Sequence, residues 1–178
     1  MDSIYCDVGR IAQIIEEKLT KKRFEPLGDA AINWASSRAI DSPALWLCRW
    51  FARAYTKGAD KRTVIGFCIH LGNYESVVDL AGLPSFPFVS VSVLDGLSEP
   101  ASTRQRTNIY EALWRAGWFE DDVEEDGGII RGKITSVPVH ASSKTFFIDL
   151  LELDSPGAIQ SKVVDRLVAI HEDRLGRG

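Results

Sequence analysis

Two histidines and a serine are the residues of this sequence best suited to acid–base chemistry on a phosphate. His70 ends one run of β-forming residues, and His140 ends another, with Ser142 two positions further on. Because an imidazole titrates near neutral pH, one histidine can accept a proton while a second donates one. If the two strands lie side by side, His70, His140 and Ser142 form the catalytic set of a metal-independent phosphoesterase or ribonuclease.

The segment around His140 resembles half of the signature of the 2H phosphoesterases. Those enzymes place two His-x-Ser/Thr motifs on facing strands, and His140-Ala-Ser142 has this form. The resemblance implies that the second motif is His70-Leu-Gly72 and that the two imidazoles act as base and acid. Gly72 has no hydroxyl to donate to a phosphate, so this half of the signature is incomplete.

A cysteine adjoins the first of these histidines. Cys68 lies two positions before His70, so the two side chains share one face of a strand. A thiolate nucleophile needs a base and electropositive surroundings, whereas the neighbours of Cys68 are apolar, which favours a core cysteine. Cys6, Cys48 and Cys68 are too widely spaced for a zinc site or a disulfide framework, and free thiols fit a reducing compartment.

A glycine-rich segment follows an acidic run in the second half of the chain. Residues 127–133 (GGIIRGK) have the glycine and lysine spacing of a phosphate-binding loop, but Ile134 stands where the hydroxyl for magnesium belongs. Residues 120–126 (EDDVEED) would repel a nucleotide, and they lack the glycine-punctuated spacing of a calcium loop. We therefore predict a solvated β-hairpin turn here, and neither a metal site nor a cofactor.

Basic side chains mark the third of three predicted N-terminal helices. This helix is predicted over residues 43–57, because a serine and a proline begin it and a glycine follows it. Arg49, Arg53 and Lys57 then recur at every fourth position and form one stripe. Such a stripe would bind phosphate, nucleic acid or an acidic protein, or would pair with the protein's own acids.

Composition places the chain among ordinary globular proteins. It has 178 residues, a net charge of −4 and a pI of about 5.4, with 45% hydrophobic and 26% charged residues. This acidity argues against a dedicated nucleic-acid binder, although a local basic patch would still bind. Since no apolar run approaches the roughly 20 residues of a membrane helix and no signal peptide is evident, we expect a cytoplasmic protein without a membrane partner.

The predicted elements follow the order α-α-α-β-β-α-β-β-α within one domain, a helical segment at 1–58 and an α+β unit at 59–178. Helices are predicted near 11–23, 29–39, 43–57, 98–117 and after residue 155, and strands at 63–71, 86–94, 129–139 and 145–153. Because strands and helices segregate, we predict an α+β fold with a mainly antiparallel sheet. From residue 86 the order β-α-β-β-α is most of a ferredoxin-like unit. Serines on one side of strand 86–94 predict that it is half-buried.

An aromatic pair is the best sequence signal for a binding surface. Trp118 and Phe119 lie beside the acidic turn, where exposed aromatic rings would make a hot spot for a partner. Since each catalytic hypothesis lacks one element, the sequence favours a cytoplasmic protein that binds another protein, as an adaptor, inhibitor, chaperone or immunity-type partner, or that self-associates. A phosphoesterase using His70 and His140 is the first alternative, and phosphate or nucleic-acid binding through the basic stripe is the second.

Overall fold

Seven strands of the described residues form an antiparallel sheet at the centre of the structure. The computed structural model describes residues 2–28, 50–59, 61–71, 87–115, 124–126, 128–134 and 140–175. The strands are β1 (Glu25–Pro26), β2 (Trp50–Thr56), β3 (Val64–His70), β4 (Phe88–Asp95), β5 (Glu124–Asp126), β6 (Ile129–Ile134) and β7 (Ala141–Asp149). They lie in the order β1-β2-β3-β4-β7-β6-β5, and every neighbouring pair is antiparallel.

Helices cover both faces of this sheet and give an α+β fold, as predicted. On the first face lie α1 (Asp2–Lys21) and the C-terminal helix, which comprises α3 (Pro156–Ile159), a π-helical turn (Gln160–Val164) and α4 (Asp165–Leu175). On the second face lies α2 (Arg106–Arg115), preceded by the 3₁₀ turn Thr103–Gln105. Residues of β2 alternate between these two cores, with Phe51 and Tyr55 in the first and Ala52 and Ala54 in the second.

Two of the predicted helices, the first and the last, are confirmed. Ile11, Ile15 and Leu19 of α1 are buried against the sheet, as their spacing predicts. The C-terminal helix begins where predicted, because the Ser155 hydroxyl accepts a hydrogen bond from the Ala158 amide at 3.2 Å and Pro156 occupies the first turn.

The predicted helix over 43–57 is wrong where the structure describes it, since residues 50–56 form β2. This strand is buried on both faces, and a doubly buried strand has a nearly continuous apolar run that cannot be distinguished from a buried helix by periodicity. Pairing of β2 with β3 from Trp50 to Tyr55 decides in favour of the strand. The predicted helix at 29–39 lies outside the described residues.

The serine side of β4 is buried, which corrects the prediction of a half-buried strand. Every residue from Phe88 to Leu94 is buried, because helices cover both faces of the sheet. Ser90 and Ser92 therefore face the second core and not solvent.

The remaining strands agree with the sequence in part. The predicted hairpin forms, since β5 pairs with β6 and Gly128 has a φ of 77° in the turn. The acidic residues Glu124–Asp126, predicted as part of the turn, instead form strand β5. β7 begins at Ala141 and not at Thr145. The ferredoxin-like order is not confirmed, because three described strands, and not two, lie between α2 and the C-terminal helix. No helix among the described residues is long and apolar enough to cross a membrane.

Candidate functional site

The two histidines of the phosphoesterase hypothesis lie at opposite ends of the sheet. His70 is level with Phe88 of β4, which is level in turn with Asp149 at the end of β7, whereas His140 precedes the first residue of β7. The nine residues of β7 separate these levels. At about 3.4 Å per residue, this is on the order of 30 Å. The two imidazoles therefore cannot contact one phosphate. The prediction that His70, His140 and Ser142 form one catalytic set is wrong.

His70 is a fully buried, neutral side chain. Its Nε2 atom lies 2.9 Å from the Ser90 hydroxyl oxygen, and its ring stacks on Phe88 with centroids 4.5 Å apart. Burial lowers the pKa of His70 to about 3, so the imidazole is uncharged at neutral pH. The Ser90–His70 contact has the atoms of a nucleophile–base pair, but both side chains are fully buried and therefore closed to a substrate.

Cys68 also belongs to the interior. It lies opposite Ser90 across the β3–β4 ladder and is fully buried. Burial raises the pKa of the Cys68 thiol, which opposes formation of the reactive thiolate. The interpretation of Cys68 as a core cysteine agrees with this environment.

The basic stripe does not form one surface in the described residues. Arg53 lies on β2 with 2% of its side chain exposed, and its Nε and Nη2 atoms lie 2.8 and 2.7 Å from Oε2 of Glu16 on α1. The Lys57 ammonium instead lies 4.8 Å from the centroid of the Phe24 ring. Arg49 lies outside the described residues. The alternative that the basic side chains pair with the protein's own acids therefore holds for Arg53.

A cleft of 630 Å³, which this ion pair helps to line, lies between α1 and β2. Burial, the largest single influence, lowers the pKa of Arg53, but the hydrogen bond to Glu16 and the charge interactions with Tyr55 and Glu16 together outweigh it and leave the pKa raised. The Tyr55 hydroxyl donates to the same Glu16 oxygen at 3.4 Å. Guanidinium and carboxylate neutralise each other at the floor, so the cleft presents no net charge there to a phosphate.

The other candidate sites from the sequence either form part of a strand or lie outside the described residues. Residues 129–134 form β6, so the described residues from Gly132 onward continue a strand and do not begin the helix that a phosphate-binding loop requires. Among the described residues, no three His, Cys, Asp or Glu side chains are grouped to hold a metal ion. Trp118 and Phe119 lie outside the described residues.

An apolar groove of 320 Å³ opens between α1 and the segment that joins β7 to the C-terminal helix. One wall comes from α1, and the other from residues 150–159. The apolar residues that line it are Ile11, Ile14, Pro87, Leu150, Leu151, Leu153, Pro156 and Ile159. The exposed charges of Arg10 and Asp154 lie on opposite walls. We call this feature the α1 groove.

Leu151 stands on the rim of the α1 groove with 78% of its surface exposed. The chain leaves β7 at Asp149 and forms the 3₁₀ turn Leu150–Glu152, because the Asp149 carboxylate accepts a hydrogen bond from the Leu151 amide at 2.9 Å. Residues three apart share a side in a 3₁₀ turn, so Leu150 and Leu153 face the core and Leu151 points away from it.

Comparison with protein-family models, with curated proteins and with solved structures found no match to this chain.

The assignment of the α1 groove as a candidate site therefore depends on its geometry alone. Its apolar lining and its exposed leucine are suited to holding an apolar side chain, and the charges of its walls to pairing with polar or charged groups next to that side chain. The sequence pattern does not reveal this site, although three leucines stand within residues 150–153 (LLEL). The sequence predicts a strand over 145–153, and this prediction singles out no leucine for exposure.

Proposed function

We propose that this protein acts in the cytoplasm by binding another protein chain, and that the α1 groove receives an apolar side chain of that partner. The single observation that carries the proposal is the position of Leu151. It is the large apolar side chain that the described residues expose, and it stands at the rim of an apolar groove. A lone exposed leucine is ordinary, but a leucine continuous with an apolar groove makes a larger surface for a partner.

The size of the groove supports a side chain as the occupant. At 320 Å³ it lies at the lower end of the range of pockets that enclose small molecules, which is about 300–1,000 Å³. It also lacks convergent charged groups, since Arg10 and Asp154 lie on separate walls. A leucine or an aromatic ring presented by a protein segment suits such a groove, because anchor residues of interfaces fill small apolar pockets.

The environment of the reactive side chains supports binding over catalysis. His70, Ser90 and Cys68 are fully buried, and the exposed His140 lies at the other end of the sheet from His70. The buried free thiol of Cys68 also supports a reducing compartment, and with it the cytoplasmic location.

A displayed library of random peptides, selected on the purified full chain, tests the proposal. We expect the selected peptides to share a large apolar residue and to bind Leu151→Asp about tenfold or more weakly than the unchanged protein. Ala169→Asp is the matched control, because Ala169 is an exposed apolar residue of α4 that does not line the groove. Circular dichroism should show both variants folded, since both positions are exposed.

Peptide affinities measured by fluorescence anisotropy decide the result. Peptides that bind the unchanged protein and Leu151→Asp equally well would place binding elsewhere and overturn the proposal. Failure to select any peptide on protein that sedimentation velocity shows to be monomeric would also count against it.

A further inference from the structure

We infer that the partner chain of the α1 groove is a second copy of this protein. The inference rests on the proposed function and adds the identity of the partner. Each copy carries both halves of the contact side by side, namely the protruding Leu151 and the groove at whose rim it stands. A two-fold axis beside the groove would insert Leu151 of each copy into the groove of the other, as in an isologous interface.

The charges of the two walls fit the same symmetry. Arg10 is exposed on the α1 wall, and Asp154 is exposed on the opposite wall, close to Leu151 in the chain. When Leu151 of one copy enters the groove of the other, Asp154 of the first copy approaches Arg10 of the second. The two-fold axis would form this ion pair twice, so the surface is complementary to itself in charge.

Hydrogen bonds within and beside the 3₁₀ turn also fix the backbone that carries Leu151. The Leu150 amide donates to the Pro87 carbonyl at 3.2 Å, and the Leu153 amide donates to the Leu150 carbonyl at 3.1 Å. With Leu153 buried and the Asp149 cap in place, the turn is fixed on both sides of Leu151. A side chain carried on an ordered turn loses little backbone freedom on binding, which favours association.

Sedimentation velocity over a range of concentrations tests the inference on the full chain. We expect the unchanged protein to form a dimer and Leu151→Asp to raise the dissociation constant about tenfold or more. Ala169→Asp should dimerise like the unchanged protein. A monomer at every concentration would overturn the inference, as would a dimer that Leu151→Asp leaves intact.

A charge exchange provides a test that does not remove the leucine. Arg10→Asp and Asp154→Arg should each weaken the dimer, because each variant alone places like charges together at both pairs. An equimolar mixture of the two variants should restore association, since the mixed dimer again has two opposite-charge pairs. A mixture that associates no better than either variant would contradict the reciprocal contact.

Peptide selection and sedimentation velocity together distinguish failure of this inference from failure of the proposed function. A monomer that still binds selected peptides in a Leu151-dependent way retains the groove as a binding site and excludes the second copy as its occupant. A monomer that selects no peptide overturns both statements. A dimer that Leu151→Asp dissociates, and with which selected peptides compete, supports both.

Discussion

Arg53 of β2 and Glu16 of α1 form a charge pair in which the cation is almost completely buried and the anion is not. The guanidinium lies 2.7–2.8 Å from one carboxylate oxygen, with 2% of the Arg53 side chain exposed against 25% of that of Glu16. The two partners therefore differ in what each loses when the other is removed. A buried cation without a carboxylate keeps its full cost of desolvation, whereas Glu16 retains access to water.

Glu16→Gln should destabilise the protein more than Arg53→Met. We expect Glu16→Gln to lower the free energy of unfolding by about 2–3 kcal/mol, below the range for fully buried pairs because Glu16 is partly exposed. On the Arg53→Met background the same change should cost little, because no buried cation remains. Urea unfolding of the two single variants and the double variant gives the coupling energy.

Glu17→Gln is the control for this cycle. Glu17 is an exposed neighbour on α1 that accepts a hydrogen bond from Gln13, and its replacement should change stability by no more than about 0.5 kcal/mol. Equal costs of Glu16→Gln in the presence and absence of Arg53 would show that the pair does not stabilise the fold.

The pairing of Glu16 with Arg53 illustrates what the sequence could and could not predict. The sequence predicts α1 because one apolar stripe dominates that helix, and it predicts β3 because that segment is a short run of β-forming residues bounded by turn residues. The partner of Arg53 lies 37 positions away, and only the packing of α1 across β2 brings the two together. The sequence pattern instead predicts a helix at Arg53, because β2 is buried on both faces and its nearly continuous apolar run resembles that of a buried helix.

The α1 groove could not be predicted from the sequence for a different reason. The exposure of Leu151 follows from the end of β7 at Asp149 and from the 3₁₀ turn that the Asp149 carboxylate caps. Had the strand continued through residue 153, Leu151 would share the side of Asp149 and Leu153. The boundary of one strand thus decides which leucine faces solvent, and boundaries depend on local hydrogen bonds that a hydrophobic pattern does not encode.

The hydroxyl pair of Ser92 and Thr145 should act as a unit. Their oxygen atoms lie 2.9 Å apart on adjacent strands, and both residues are buried. Thr145→Val keeps the shape but removes the partner of the Ser92 hydroxyl, so we expect a loss of about 1–3 kcal/mol in the free energy of unfolding. Adding Ser92→Ala should recover part of that loss, as chemical denaturation would measure. A double variant less stable than Thr145→Val would contradict the pairing.

Stability should fall in acid because of His70. Its pKa is about 3 in the folded protein, whereas an unfolded histidine titrates near 6.5. Below pH 6.5 the unfolded state takes up a proton that the folded state does not, so His70 favours unfolding increasingly until the pH reaches about 3. Between pH 7 and pH 5 this contribution amounts to about 2 kcal/mol.

Urea unfolding of His70→Gln at both pH values measures this contribution. The variant should lose less stability between pH 7 and pH 5 than the unchanged protein, whatever its stability at pH 7. His140→Gln, at an exposed position, should retain the acid dependence of the unchanged protein. The same slope in all three proteins would place the proton uptake at other groups.

Gly66 of β3 should tolerate no side chain, because two elements meet it. A Cβ atom there would lie 2.6 Å from the Arg53 carbonyl oxygen of β2 and 2.6 Å from Cδ1 of Leu113 on α2. Gly66→Ala should therefore lower the free energy of unfolding by about 1–3 kcal/mol or more, in the manner of an overpacked core. Leu113→Ala should not rescue it, since the backbone contact with β2 remains.

Gly9→Ala is the control, because nothing lies within 4 Å of a Cβ atom there and alanine should stabilise α1 by about 0.5–1 kcal/mol. Thermal unfolding of the two alanine variants should therefore shift in opposite directions, and a Gly66→Ala protein as stable as the unchanged one would show that β2 and α2 can move apart at this point.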